Sequence, residues 1–344
     1  MNKRKIGIVA LIVAILFAVG AVFENGIKNK EAMIAKDDKL QVVVTSFPQY
    51  DFVRAIAKEE ADISMLIKPG AEIHSYEPTP EDIQKIQNAD LFVYTGGEND
   101  KWVEDILDSI DISKTKLVRL EDCVTLIEED ETVGLEGVSV HSHEHDEDLD
   151  SDHDESDHEE TIHEHSSGIE YDEHVWTSPK NAVKIVEEIE SVLCELDEEK
   201  QETFKENAQE YISQIDDIDS QIRDIVENSK RKTLVFGDRF PFKYFVEEYG
   251  LDYKAAFPGC SDEMEPSADT LSYLINFIKD EKIPVVLYLE LSNQKVANTI
   301  AEETNTKTMC LNSVQNVSQK DFEKGVTYVS LMKENIETLK VALQ

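Results

Sequence analysis

Short apolar runs alternate with amphipathic helical patterns along the chain from residue 40 onward. In the first half these patterns predict strands and helices in turn, with strands at 40–45, 63–67, 91–94 and 116–120 and helices at 50–58, from Thr79 and around 102–107. Thr79-Pro80-Glu81-Asp82 has the N-cap, first-turn proline and acidic residues typical of a helix start. Strands that alternate with helices predict a parallel sheet with helices on both faces.

The same alternation resumes near residue 233. Further strands and helices are predicted there, with strands at 233–236, 285–289 and 308–311 and helices at 242–249, 267–280, 293–304 and 320–343. The fold class is therefore α/β, with two lobes of parallel sheet flanked by helices. Ligands of open α/β sheets bind beyond the carboxyl ends of the strands, so polar residues at those ends are the candidates for function.

Two helices join the lobes. Ser178-Pro179 begins a helix that extends to about Leu196, and a second helix extends to about Asn228. In the second, apolar residues recur at alternating spacings of four and three, namely Phe204, Ala208, Tyr211, Ile215, Ile218, Ile222 and Ile225. This stripe fits a coiled-coil dimer seam or a long rigid helix that ties the lobes together. We favour the helix within a monomer because βα units follow it. The lobes then span 39–176 and 229–344, with 177–228 between them.

The N-terminus has the pattern of an export segment. Asn2-Lys3-Arg4-Lys5 precedes an uninterrupted apolar run over 6–23, and a polar spacer occupies 26–38. Residues 1–25 are predicted to be a signal peptide or a retained membrane anchor, with the rest outside the cytoplasm, secreted or held at the membrane. Outside the cytoplasm the cysteines have two alternatives, a disulfide between Cys260 and Cys310 or buried free thiols, and the sequence does not decide between them.

Charge is concentrated in one segment. Residues 128–173 contain 20 Asp or Glu and no Lys or Arg, and they hold seven of the nine histidines, namely His141, His143, His145, His153, His158, His163 and His165. A segment this polar cannot bury enough apolar surface to order itself, so it is predicted to be a mobile loop within the first lobe. Imidazole and carboxylate groups are transition-metal ligands, which favours an auxiliary metal-collecting loop over a merely solvated linker.

Composition narrows the class of partner. The chain has 344 residues and 40% hydrophobic content, enough for two ordinary folded units. Its formal net charge of −39 argues against a nucleic-acid partner, because phosphate binding requires a basic surface. An acidic protein with clustered histidines favours a cation as its ligand.

Two histidines lie outside the acidic tract. His74 follows the predicted strand 63–67, and His174 comes just before the helix that begins at Ser178-Pro179. Both positions fall where the ligand crevice of an α/β sheet is expected. His74 and His174 are therefore candidate metal ligands.

Several segments carry a family resemblance. GAEIHSYEPTPEDIQKIQNADLFVYTGGENDKWVEDIL and DEHVWTSPKNA resemble segments of the solute-binding proteins of zinc and manganese ABC importers, and TLVFGDRFPFKYFVEEYGL and VVLYLELSNQKVANTIAEET resemble the second lobe of that family. The His-rich loop resembles the zinc branch. The resemblance covers roughly residues 40–343. It implies capture of Zn²⁺, with Mn²⁺ as the alternative, between two lobes, and delivery to a membrane permease driven by a cytoplasmic ATPase.

The resemblance also shows departures in the second lobe. His74 and His174 match the two ligands of the first lobe, but Gly237 stands where the family usually has a third histidine. Asn312 stands where a carboxylate ligand is often found. Asp238 and Glu290 are the candidate substitutes, and a histidine from the loop is a third possibility. Arg239 either opposes a cation or holds Asp238 in place.

Four functions follow from these residues. An extracytoplasmic zinc receptor for an importer is the leading one, and the protein is not expected to be an enzyme. A degenerate paralogue that buffers zinc through its loop is the first alternative. A zinc hydrolase would fit two histidines, a carboxylate and a water, but the chain has no H-E-x-x-H helix. An adhesive surface role is a secondary alternative.

Overall fold

The computed structural model describes residues 39–73, 76–97, 100–129, 170–259 and 266–344. The first lobe contains four strands and three helices, namely β1 (Leu40–Val44), α1 (Phe47–Ala57), β2 (Ala61–Met65), α2 (Pro80–Gln87), β3 (Leu91–Tyr94), α3 (Lys101–Leu107) and β4 (Lys116–Arg119). All pairings are parallel, in the order β2-β1-β3-β4. The central strand β3 is buried along its length, as its uninterrupted apolar sequence requires.

Two helices follow the first lobe. They are α4 (Pro179–Leu196) and α5 (Gln201–Glu227). The second lobe then contains β5 (Thr233–Phe236), α6 (Lys243–Tyr249), β6 (Asp252–Ala255), α7 (Ala268–Glu281), β7 (Val285–Tyr288), α8 (Lys295–Thr304), β8 (Lys307–Cys310), α9 (Gln319–Glu323) and α10 (Tyr328–Ala342). Its strand order, β6-β5-β7-β8, repeats that of the first lobe. The prediction of two parallel α/β lobes is confirmed.

Two features of the second lobe differ from the sequence prediction. Strand β6 was not predicted, because Asp252-Tyr253-Lys254-Ala255 is a short strand at the edge of the sheet and only half of it is buried. The single helix predicted over 320–343 is two helices. Gly325 adopts a φ of 74° between them, and the Thr327 side chain accepts a hydrogen bond from the Ser330 backbone at the start of α10.

The long helix α5 packs within its own chain. Its buried positions form a stripe, namely Phe204, Asn207, Ala208, Tyr211, Ile215, Ile218, Ile222 and Val226. This stripe lies against α1 of the first lobe, against α4 and against α10 of the second lobe. Because the apolar face is already covered, it is not available as a coiled-coil seam. The interpretation of α5 as a helix that joins the lobes is the one the structure supports.

The two lobes share buried contacts near the carboxyl ends of their strands. One continuous apolar core includes residues from both lobes and from the connecting helices. The indole N–H of Trp176 donates to the Ser313 carbonyl at 2.9 Å, and the Tyr328 hydroxyl donates to the Trp176 carbonyl at 3.0 Å. The segment that contains His174 is thereby fixed against the second lobe.

The acidic tract is ordered at both ends. Glu128 and Tyr171 form an antiparallel bridge, and the Asp172 N–H donates to the Ile127 carbonyl at 2.9 Å. Asp172 and Glu173 are buried. The loop prediction was therefore too long at its C-terminal end, because backbone pairing and burial near His174 overcome the polar composition. The seven loop histidines lie outside the described residues.

Several other predictions also fall outside the described residues. The export segment 1–25 and the spacer 26–38 are among them. Within the described ranges, no helix combines the length and apolar character needed to span a membrane. Cys123, Cys194 and Cys310 have free thiols, and Cys260, the other half of the disulfide alternative, is not described.

Candidate metal centre

His174 is held rigidly in the core between the lobes. It lies directly before a short 3₁₀ helix, Val175–Thr177, and is fully buried. Oδ1 of Asp172 accepts a hydrogen bond from the His174 backbone N–H at 2.8 Å and lies 3.2 Å from Nδ1 of the ring. Metal-ligating histidines commonly hold one ring nitrogen on a carboxylate in this way.

The other ring nitrogen of His174 is available. Nε2 is buried and has no hydrogen-bond partner among the described residues. Buried polar nitrogens are nearly always paired in folded proteins, so an unpaired one points to an additional binding partner. With Nδ1 held by Asp172, Nε2 has the lone pair that a zinc ion would use.

Carboxylates surround this imidazole. Burial alone would lower the pKa of His174, but the nearby charges of Asp172, Glu173 and Glu129 outweigh it and raise the pKa above its ordinary value. The same negative charges favour any cation at this position. A metal ion bound at this imidazole would therefore compete with a proton.

His74 lies outside the described residues, but the segment before it is well defined. Lys68, Pro69, Gly70 and Ala71 form a tight turn after β2, with an Ala71 N–H to Lys68 carbonyl bond of 3.0 Å. Glu72 then approaches the second lobe, where its Oε1 is 3.6 Å from Nη1 of Arg239. The loop that leads to His74 therefore contacts the second lobe directly.

Asp238 lies at the carboxyl end of β5, where a ligand is expected. Its Oδ2 accepts from the Leu289 N–H at 3.1 Å, and its Oδ1 accepts from the Arg239 N–H at 2.9 Å. The side chain of Arg239 instead pairs with Glu72 across the lobes. Each carboxylate oxygen of Asp238 retains lone pairs after one hydrogen bond, so Asp238 stays a candidate ligand.

Gly237 lies where a side chain has no room. A Cβ at this position would overlap Ala297 of α8, with the Ala297 backbone N only 2.8 Å away. Ala297 is itself fully buried. Helix α8 therefore occupies the space that a histidine side chain at position 237 would need.

Glu290 is engaged by the loop that follows β8. Its carboxylate accepts from the Ser313 N–H at 2.6 Å, the Ser313 hydroxyl at 2.7 Å and the Gln315 N–H at 3.2 Å. Val314 adopts a φ of 63°, an unusual conformation for a β-branched residue, and thereby turns the N–H groups on either side toward one anion. Burial raises the pKa of Glu290, although these hydrogen bonds oppose the rise.

Asn312 is held by internal hydrogen bonds. Its backbone N–H and its side-chain amide both donate to Oδ1 of Asn335, at 2.7 and 3.1 Å. In the family that the sequence resembles, this loop often supplies a carboxylate ligand, whereas here the loop donates hydrogen bonds to the carboxylate of Glu290. The role of Glu290 as a substitute metal ligand stays a prediction, and its oxygens already accept three hydrogen bonds.

A cavity of about 330 Å³ lies between parts of the two lobes. Its walls include Glu72 and Ile73 from the first lobe and Asp238, Arg239 and Glu290 from the second. His174 is not among its lining residues. The structure thus brings Asp238 and Glu290 to one cavity beside the segment that leads to His74, with His174 buried elsewhere in the interlobe region.

The described residues do not complete a metal shell by themselves. Within 39–73, 76–97, 100–129, 170–259 and 266–344, no three His, Cys, Asp or Glu side chains are grouped to hold a metal ion. The interactions of Asp172 and Glu129 with His174 were not predicted from the sequence. The Asp-x-His spacing before a helix start was the signal for Asp172, whereas nothing in the sequence places Glu129 near His174.

Comparison with known proteins gives a consistent result. The family model described as zinc-uptake complex component A, periplasmic (ZnuA), matches residues 42–342. The chain is 34% identical over 307 residues to the zinc-binding lipoprotein AdcA of Streptococcus pneumoniae, covering 88% of this chain and 56% of the relative. The chain therefore spans little more than half the length of that relative.

A further relative and a solved structure match over most of this chain. The high-affinity zinc uptake system protein ZnuA of Bacillus subtilis is 33% identical over 332 residues, 96% of each chain. The crystal structure of the Zn(II)-bound ZnuA-like domain of Streptococcus pneumoniae AdcA superposes with a TM-score of 0.69 at 31% identity, covering 89% of this chain and all of that domain. The chain therefore belongs to the ZnuA family of zinc-uptake solute-binding proteins.

Proposed function

We propose that this chain is an extracytoplasmic receptor that captures Zn²⁺ between its lobes and delivers it to an ABC importer. The observation that carries the proposal is the buried His174, with Asp172 on Nδ1 and no hydrogen-bond partner for Nε2 among the described residues. The surrounding acidic residues favour a cation there. Zinc as the cargo agrees with the names of the relatives.

In this proposal His74 and His174 are the main zinc ligands, and Asp238 completes the shell from the second lobe. Zinc prefers four ligands at about 2.0–2.3 Å, so lobe closure would have to carry Asp238 toward the histidines. Glu290 is the weaker candidate because three donors already occupy its carboxylate. Residues 1–25 would retain the protein at the membrane or direct its export.

The partners follow from the same proposal. A membrane permease would take zinc from the closed receptor, and a cytoplasmic ATPase would drive transport. The family consists of solute-binding proteins, so binding and release, without turnover, is the expected chemistry.

One structural observation favours a second function. Gly237 leaves no room for a side chain, and Glu290 and Asn312 are directed to internal hydrogen bonds. A second lobe in which Asp238 is the main remaining candidate ligand fits a zinc-buffering paralogue that binds metal through the seven loop histidines.

Zinc titration calorimetry distinguishes the two functions. The chain without residues 1–25 and 141–165 should bind one zinc tightly, and the full loop should only add weaker sites. Replacing His74 by Ala in the shortened chain should remove the tight site, because one of few strong ligands is lost. Absence of a tight site after loop deletion would support the zinc-buffering function. Tighter binding of Mn²⁺ than of Zn²⁺ would identify Mn²⁺ as the cargo.

A further inference from the structure

The segment that leads to His74 has a defined turn conformation. Pro69 and Gly70 occupy the central positions of the turn from Lys68 to Ala71, and Gly70 has a φ of 78°. This combination is that of a type II turn. Besides the bond within the turn, the carbonyl groups of Lys68 and Ala71 both accept from the second lobe.

A single asparagine of the second lobe binds both carbonyls. Nδ2 of Asn316 donates to the Lys68 carbonyl at 3.1 Å and to the Ala71 carbonyl at 2.9 Å. Its Oδ1 accepts from the Val317 N–H at 2.8 Å, and the residue is 4% exposed. An amide NH₂ has two hydrogens, and here each is donated to one of the two carbonyls. The hydrogen bond that Oδ1 accepts from the Val317 N–H fixes the orientation of the amide.

The neighbouring interlobe contact is weaker. Arg239 and Glu72 pair at 3.6 Å, with 56% of the Glu72 side chain exposed. Exposed ion pairs contribute little because water screens them. Asn316 is therefore the stronger link between the second lobe and the turn.

We propose that Asn316 is a positioning residue through which the second lobe sets the loop that leads to His74, a role that rests on the proposed zinc capture. Position 74 follows Ala71 by three residues, so the turn sets where the chain enters the segment that contains His74. The second lobe, which has Gly237 where the family usually has a histidine, would thus act on zinc binding through the backbone of the first lobe.

The physical basis is the loss of two hydrogen bonds between the lobes. Removing the amide takes from the Ala71 carbonyl the donor supplied by the second lobe and leaves the Lys68 carbonyl with the Ala71 N–H alone, and the loop gains freedom that zinc binding must then remove. Residues that orient a metal ligand without touching the metal typically alter affinity by 10- to 100-fold. We expect Asn316→Ala to weaken the tightest zinc site by about tenfold.

The test uses the full chain with a competing chelator, so that only the tightest zinc site is loaded. Asn207→Ala is the matched control, since Asn207 is also buried and donates to a backbone carbonyl of the first lobe, Ile56 at 2.8 Å, from α5. Both variants should lower the melting temperature, but only Asn316→Ala should weaken zinc binding. Equal zinc affinity in Asn316→Ala and the parent, or equal weakening in both variants, would overturn the proposal.

A double-mutant cycle separates this role from the role of His74. In the His74→Ala chain, Asn316→Ala should have no further effect on zinc affinity. If His74→Ala leaves zinc affinity unchanged, the proposed ligand role of His74 fails. Hydrogen exchange then decides the positioning role, where faster exchange at the Ala71 amide in Asn316→Ala supports it and unchanged exchange overturns it.

Discussion

The two ring nitrogens of His174 have different surroundings. Asp172 holds Nδ1 and the backbone N–H, which fixes the ring orientation, and Nε2, the nitrogen that would bind zinc in the proposed site, has no hydrogen-bond partner among the described residues. The carboxylates that would attract zinc also raise the pKa of His174. Because zinc requires the neutral imidazole, its affinity should fall as the pH drops through that raised pKa.

Asp172→Asn tests the orienting carboxylate. The amide oxygen can still accept from the His174 N–H, but the negative charge beside the imidazole is lost, so zinc should bind about tenfold more weakly. His174→Ala should abolish the tight site. Chelator competition measures both, and Asp90→Asn, in which the carboxylate only accepts from the Gln41 N–H, is the control. Parent-like affinity in Asp172→Asn would contradict the assignment.

Asp100 predicts a pH dependence of stability. Burial raises its pKa from 3.8 to about 6, although the Thr95 and Gly96 N–H groups donate to it. The folded protein therefore holds this proton more tightly than the unfolded chain. The charge penalty is absent near pH 4 and complete above about pH 6, so stability falls by roughly 3 kcal/mol across that window.

Asp100→Asn should remove this component. Its free energy of unfolding should exceed that of the parent at pH 7, and the difference should disappear near pH 4. Urea unfolding of metal-free protein at both pH values measures the effect. Parallel pH profiles for the two proteins would show that Asp100 does not carry this charge penalty.

At the scale of elements, two of the buried strands were predictable to the residue. The strands β3 and β5 have the predicted bounds, because burial on both faces leaves an unmistakable run. The edge strand β6 was missed because its exposed residues are polar. The helix break at Gly325 was missed because the apolar spacing continues across it.

The candidate site was predictable only in part. His74 and His174 stand out in the sequence because histidine is rare outside the tract, and their role as metal ligands stays a prediction. Asn316 was missed because its partners are backbone carbonyls about 245 residues away in sequence. The crowding at Gly237 depends on where α8 packs, and a sequence pattern carries no such distance.

Gly237→His tests that crowding. The family pattern alone would predict tighter zinc binding, whereas overlap with Ala297 predicts no gain and a loss of about 3 kcal/mol or more in unfolding free energy. Urea unfolding and zinc titration measure the two effects. Gly250→Ala is the control, because nothing lies near its Cβ and only its φ of 61° opposes the change, at about 1–2 kcal/mol. Tighter zinc binding with parent-like stability would contradict the packing argument.

At the scale of the whole molecule, Asp51 joins the lobes on the side of the connecting helix. This buried carboxylate accepts from the Tyr211 hydroxyl of α5 at 2.6 Å and from the Tyr328 N–H of α10 at 2.7 Å, and it pairs with Arg54. Arg54 in turn donates to the Val326 carbonyl. The carboxylate of Asp51 in the first lobe therefore binds both the long helix and the last helix.

Asp51→Ala should destabilise the whole chain. Loss of a buried, paired carboxylate leaves its donors unsatisfied, so the free energy of unfolding should fall by about 3–5 kcal/mol. Asp111→Ala is the control, because Asp111 accepts from the Ser113 N–H at an exposed site and its replacement should leave stability nearly unchanged. Urea unfolding that finds similar values for both variants would contradict the role of Asp51.

The central claim is that one zinc ion binds between the lobes. The most direct measurement is anomalous diffraction at the zinc edge from crystals of the chain without residues 1–25 and 141–165, loaded with one equivalent of zinc. We expect a single strong peak bonded to Nε2 of His174 and to His74, with Asp238 drawn in from the second lobe. A peak away from His174, or no ordered zinc at all, would contradict the account.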